Sequence, residues 1–201
     1  MMEYYFHNCI AAFHEKFGIG YSGEVERHLD AELRDFRIKF LNEEFDEYVE
    51  AYSKRDLEKQ FDGLIDLMYV TVGTLYLHGQ AYRERSIVTG YFGPPRELDD
   101  TLAQYHMRQM ALYIKKYESA TDAGYLDGKL DALQELGQCV LETAAAHGFA
   151  FNLGWLRVHS ANMKKVRAER DDTRGHRDTQ FDIVKPEGWV PAKLTDLVFP
   201  N

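Results

Sequence analysis

The chain has 201 residues, 45% hydrophobic and 13% aromatic, enough apolar content to bury a core in one domain or two small closely packed units and too much for a disordered chain. A formal net charge of −9 and a pI near 5.4 argue against a nucleic-acid or anionic-membrane surface, which clustered Lys and Arg would have to supply. Cys9 and Cys139 are the only cysteines, far apart and without CxxC spacing, so neither a disulfide framework nor a zinc knuckle is expected and a reducing cytoplasm fits.

The opening MMEYYFHNCIAAFHEKFG lacks a basic region followed by a long apolar one and does not read as a signal peptide. Its apolar spacing predicts a helix over Met2 to Phe17 that stops at Gly18. The following GIGYSG reads as a loop, without the GK[ST] ending of a phosphate loop. From Asp30, a plausible N-cap, a stretch rich in Glu, Leu, Ala and Arg predicts the second helix. Asp56 can cap the third, which is apolar most of the way round and ends near Gly79, so it should be central. It carries Asp66 in its most apolar part, Leu64 to Leu77, and is too short there to span a bilayer. The cluster Gly90, Gly93, Pro94, Pro95 marks a linker, with Pro94 or Pro95 starting a further helix. Helices are then expected over Glu97 to Glu118, Tyr125 to His147 and Asn152 to about Arg167. No stretch alternates as a strand would. The expected organisation is one all-α domain over 1–168, with an acidic site in 30–79 and a second helical unit in 95–148, followed by an irregular tail over 169–201.

That second unit echoes the first. Leu57, Asp62, Leu64, Leu67, Thr74, His78 and Gly79 recur 69 residues later as Leu126, Asp131, Leu133, Leu136, Thr143, His147 and Gly148. Identity over the wider window is low, so a duplication is one reading and coincidence the other. Glu43, Glu44 and Glu47 become Leu112, Tyr113 and Lys116 in the second copy, so only the first would keep an acidic site.

Glu44 and Glu47 are three apart, Glu43 and Glu47 four apart and Glu47 and Glu50 three apart, so these acids project along one stripe of the second helix. A solvated acidic face is the plain alternative. Winding at about 100° per residue puts Leu33, Phe36, Phe40 and Ala51 beside Glu43 and Glu47, and Leu41, Phe45, Tyr48 and Val49 opposite, so the acidic side is expected to be covered. Asp62 and Asp66, one turn apart among Phe61, Leu64, Ile65, Leu67 and Met68, are expected to be partly buried, and no Lys or Arg lies between Gln60 and Gln80. Ionised carboxylates taken out of water need a partner, and hard oxygen ligands from two adjacent helices point to Mg2+, or Mn2+ in its place. A helix cap or structural hydrogen bond is the alternative for either Asp. The chemistry suits phosphoanhydride cleavage, with a spare carboxylate, Glu44 or Glu47, activating water.

The eight histidines form no HExxH or comparable pair, and His78 and His147 sit where they would complement helix dipoles. His14, with Phe13 and Phe17, is a candidate for a base pocket, the core being the alternative. Arg37 and Lys39 are candidates for phosphate contacts.

The pattern resembles the MazG-like, all-α nucleoside-triphosphate pyrophosphohydrolase superfamily, whose hallmark is ExxE on one helix and ExxD on the next. Glu44 and Glu47 within EEFDE match the first half, and FDGLIDLMYVTVGTLYLHG carries the second. Gly63 stands where the hallmark has Glu, with Asp62 one residue earlier and Glu58 as a weaker stand-in. The likeness is strongest to bacteriophage-type members and extends to FHEKFG, to WLRVHSANMKKVRA over Trp155 to Ala168 and to FDIVKPEGWVPAKLTDLV, and it is weakest from Gln80 to Ala146. It implies a MazG-like helical bundle with a magnesium site drawn from Glu43, Glu44, Glu47, Asp62 and Asp66, and Asn162 and Lys165 contacting nucleotide phosphates. It further implies hydrolysis of a nucleoside triphosphate to the monophosphate and pyrophosphate, a deoxynucleotide above phosphoribosyl-ATP, and a homodimer. Duplication within the chain would make a monomer feasible. A catalytically silent helical binding scaffold is the alternative of a different class.

Overall fold

A computed structural model of the chain describes residues 5–19, 25–83, 94–167 and 183–199. Its helices are α1 (Tyr5–Phe17), α2 (Ala31–Ser53), α3 (Leu57–Leu77), α4 (Asp100–Asp122), α5 (Leu126–His147), α6 (Phe151–Asn162) and α7 (Thr195–Val198). The strands β1 (Val166–Arg167) and β2 (Ile183–Val184) pair antiparallel, Val166 opposite Val184 and Arg167 opposite Ile183. The fold class is all-α, as expected, and no described helix is long and apolar enough to cross a membrane.

Helix starts follow their capping chemistry. Asp30 accepts from the Leu33 amide at 2.9 Å and Asp56 from the Lys59 amide at 3.0 Å, each satisfying an orphan donor at about 1 kcal/mol. The same rule corrects the fourth helix. It begins at Asp100 rather than at Pro94, Pro95 or Glu97, because Asp99 accepts from the Leu102 amide at 3.0 Å. The sixth helix also ends earlier than expected, at Asn162, where the chain turns and enters β1. The tail is not irregular throughout: Val184, Leu194 and Val198 are buried, and Glu58 accepts from the Thr195 hydroxyl at 2.9 Å and the Leu194 amide at 3.3 Å. Glu58, the weaker stand-in, is thus engaged by the tail while still acting on Asp62. The Gly90 and Gly93 linker lies outside the described residues.

α3 is the central helix, packed against α1, α2, α5, α6 and α7, with Phe61, Leu64, Ile65, Leu67, Met68, Val72, Leu75 and Leu77 fully buried. Trp155 on α6, also fully buried, meets the Phe6 ring edge-on at 4.7 Å and Tyr69 at 5.1 Å. On α2 the buried residues are Leu33, Arg37, Leu41, Glu44, Tyr48 and Ala51, steps of three and four. The covered stripe is therefore rotated from the one expected. Leu41 and Tyr48 face the core, Glu44 is buried, and Glu47 is exposed.

The two helical hairpins correspond at a constant offset in most of their features, although Tyr125 supplies no side-chain cap where Asp56 does. Adding 69 to the bounds of α2 gives those of α4, and the caps Asp30 and Asp99 act alike. Gly79 and Gly148 hold φ of 81° and 76°, and Arg55 takes the left-handed conformation (φ 54°) that Gly124 holds in the copy (φ 65°). The seam between hairpins is reciprocal. His78 donates from Nδ1 to the Arg27 carbonyl at 2.7 Å and accepts at Nε2 from the Tyr117 hydroxyl at 3.1 Å. His147 donates to the Arg96 carbonyl at 2.8 Å and accepts from the Tyr48 hydroxyl at 3.3 Å. Every partner is offset by the same 69 residues, the self-complementarity of a two-fold relation. Burial, opposed by those carbonyl bonds, holds both imidazoles neutral with pKa values lowered to about 4. They are seam residues rather than complements to helix dipoles.

Candidate active site

Between α1, α2, α3 and the end of α6 lies a cavity of about 140 Å³. One part of its wall is aromatic and apolar, with Phe13, Ile19, Phe36, Phe40, Tyr69, Val70 and Ile183. The polar part consists of His14, Arg37, Glu44, Asp66, Asn162 and Lys165. These six side chains, all singled out from the sequence, thus meet at one cavity. A separate groove is lined by Glu47, Asp62, Lys54, Lys59 and Gly63, so Glu47 and Asp62 line a different surface from Glu44 and Asp66. Glu43 lines neither and sits 3.7 Å from Lys39 on the next turn of α2, which also places Lys39 away from the cavity.

The carboxylates press on one another. Asp66 is desolvated by the protein around it and repelled by Asp62, and its pKa is raised to about 7, while Lys165 and Lys185 pull the other way. Asp62 is raised by desolvation and by Glu47. Solvent reaches Asp62, which is exposed, so the expectation that it is partly buried is corrected; the crowd of acids and packed atoms beneath it still disfavours its charge. Among the described residues no three His, Cys, Asp or Glu side chains are already gathered around one point as ion ligands. The donor set nonetheless fits a hard divalent ion, because mutually repelling carboxylate oxygens on two neighbouring helices gain most from a cation.

Gly63 explains the departure from ExxD. A Cβ there would lie 3.1 Å from the Tyr48 Cα and 3.2 Å from its backbone nitrogen, so the α2–α3 approach leaves no room for a glutamate. The neighbouring acid, Asp62, lies one residue earlier on the exposed side of α3.

The polar side chains are held in place. Arg37, 6% exposed, donates to the Thr74 hydroxyl at 3.0 Å and the Val70 carbonyl at 2.6 Å. Gly73 makes its space, since a Cβ there would come within 3.0 Å of the guanidinium. Burial, then the Arg37 charge, lowers the His14 pKa to about 3. The neutral ring donates from Nδ1 to the Ile19 carbonyl at 3.0 Å, which leaves Nε2 as an acceptor. Asn162 is buried and hydrogen-bonds Tyr69, whose hydroxyl also lies 3.0 Å from His159 Nδ1. Phe17, expected in a base pocket, is buried instead with its ring 4.7 Å from Phe13. Sequence reasoning missed Tyr69 and Ile183 as cavity walls; the pairing of β2 with β1 brings Ile183 from a distant part of the chain.

Residues 10–82 match the model of the phosphoribosyl-ATP pyrophosphohydrolase family, which belongs to the MazG-like, all-α nucleoside-triphosphate pyrophosphohydrolase superfamily and suggests a pyrophosphohydrolase activity on nucleotides. The match takes in most of α1 and all of α2 and α3, whereas α4 to α7 lie outside it. Comparisons with curated proteins and with solved structures gave no match.

Proposed function

We propose that the protein is a magnesium-dependent nucleoside-triphosphate pyrophosphohydrolase that converts a nucleotide, a deoxynucleoside triphosphate in the favoured case, to its monophosphate and pyrophosphate in control of the nucleotide pool. The observation that carries this reading is the meeting of Glu44, Asp66, Asn162 and Lys165 at one cavity backed by Phe13, Phe36, Phe40 and Tyr69.

The aromatic wall receives the base, and His14 Nε2 offers it an acceptor. Asn162 and Lys165 face the phosphates from the end of α6, and Arg37 adds fixed positive charge beneath. Glu44, Glu47, Asp62 and Asp66 are the residues that would hold Mg2+, or Mn2+, whose chemistry when bound is neutralisation of phosphate oxygens. Glu47, open to solvent, takes the proton of the attacking water, with Glu44 as the other candidate base. The water oxygen bonds to the α-phosphorus, the bond from that phosphorus to the α,β-bridging oxygen breaks, and pyrophosphate leaves.

The test is incubation with each ribo- and deoxynucleoside triphosphate and phosphoribosyl-ATP in magnesium, following monophosphate and pyrophosphate. Glu47→Gln and Glu44→Gln are each expected to lower kcat at least a hundredfold with the fold retained. Turnover unaffected by Glu47→Gln and Asp66→Asn would reject this site. The second reading, a silent nucleotide-binding scaffold, draws on the absence among the described residues of a gathered ligand trio, and nucleotide binding without turnover would favour it.

A further inference from the structure

The turn after α6 and the segment after β2 build a structure of their own at the cavity mouth. Lys165 follows the end of α6, its amide bonded to the Asn162 carbonyl at 3.0 Å. Lys16 of α1 ties this turn down by donating to the carbonyls of Met163 and Lys165. Antiparallel pairing of β1 with β2 then returns the chain so that Lys185 emerges beside Lys165. A turn closed by the Trp189 amide on the Pro186 carbonyl at 3.0 Å, with Gly188 at φ 74°, swings the indole back. Its Nε1 donates to the Ala161 carbonyl at 2.9 Å, which pins the ring to the end of α6.

So placed, the indole meets two cations. Lys165 Nζ lies 5.6 Å and Lys185 Nζ 4.8 Å from the ring centre, both within cation–π range. Two ammonium groups beside one another would ordinarily repel and spread into solvent, and an aromatic face that attracts both is a means of keeping them together. The pair does not stand over open surface. Lys165 lines the cavity with Glu44 and Asp66, and Lys185 stands near enough to act with it on the Asp66 carboxylate.

We propose that Lys165 and Lys185, positioned by Trp189, form a diphosphate clamp that takes the β- and γ-phosphates of the substrate and then the released pyrophosphate. This rests on the hydrolase reading above and adds Lys185 and Trp189 to it. Two point charges suit a diphosphate carrying charge on both phosphorus centres and give little to the single phosphate of the nucleotide product, which separates the two products. Lys185 is a contact residue and Trp189 a positioning residue.

The test is titration calorimetry with inorganic pyrophosphate in magnesium buffer on the full chain, using wild type, Lys185→Ala, Lys185→Arg, Trp189→Leu and Trp189→Phe. Lys185 is exposed, so its variants fold as wild type does. Expected is about tenfold or greater weakening in Lys185→Ala and Trp189→Leu, with recovery in Lys185→Arg and Trp189→Phe and unchanged affinity for a nucleoside monophosphate. Equal pyrophosphate affinity across the set overturns the clamp, as does a wild type that binds no pyrophosphate. Wild-type triphosphate hydrolysis measured on the same preparations keeps the two ideas apart. Turnover with Lys185-independent pyrophosphate binding removes the clamp alone, and Lys185-dependent binding without turnover removes the hydrolase reading alone.

Discussion

Asp66→Asn isolates the electrostatic cost on which the metal site rests. The carboxyl has a pKa of 3.8 in a free chain and about 7 in the fold, so between those values the native state holds a proton that the unfolded state has released. Stability from this group is therefore complete below about pH 4 and is lost as pH rises through about 7. At about 1.4 kcal/mol per pH unit, the penalty carried by the wild type at pH 8 without metal is on the order of 2–4 kcal/mol, the lower end allowing for the solvent that reaches the cavity. Asparagine keeps the shape and cannot ionise. The variant should accordingly melt higher than wild type at pH 8 in chelator, by about 5–10 °C for a chain of this size, and show little advantage at pH 4. Magnesium should raise the wild-type midpoint and leave the variant nearly unmoved. Thermal unfolding followed by circular dichroism at both pH values, with chelator and with magnesium, reads all of this. An asparagine variant that melts below wild type at pH 8 in chelator would refute the reasoning, because the carboxylate would then be supporting the fold rather than straining it.

Gly63→Ala forces a Cβ to 3.1 Å from the Tyr48 Cα; overpacking of about 1–3 kcal/mol outweighs a helix-propensity gain of about 1 kcal/mol. The expected net loss of about 1 kcal/mol appears as a lower urea midpoint at unchanged slope, with Gly63→Glu lower still. A homodimer is expected from the resemblance, and the pairing of hairpins within the chain makes a monomer feasible; sedimentation distinguishes one chain of 23.4 kDa from a pair.

The hairpin carrying the acids was legible because its signals are local. Asp30 and Asp56 cap it, the 21 residues of α3 are apolar most of the way round, and the acids recur at helical spacing. The rotation of α2 was not legible. Leu33, Phe36 and Phe40 could as well have marked one stripe as Leu33, Arg37 and Leu41 another, and a buried arginine among them looks like a solvent residue until Thr74, Val70 and Gly73 are seen around it. Gly73, a glycine inside an otherwise strong helix, was the available clue. His78 and His147 looked like dipole complements because each is judged alone by its own helix; their role depends on Tyr117 and Tyr48 across the seam. The tail was misread for a similar reason, since the partner of Val184 is Val166 and neither short strand has a pattern of its own.

Two identical subunits must carry every change twice, whereas the duplicated hairpins here share a sequence frame but not a gene position. Replacing Tyr48 would disturb one of the two seam bonds and spare that of Tyr117. The half without the glutamates, with Tyr113 and Lys116 in their places, can therefore drift toward a supporting role while the other half keeps its chemistry. In this pairing one hairpin carries the acids proposed for turnover, and the other packs against it.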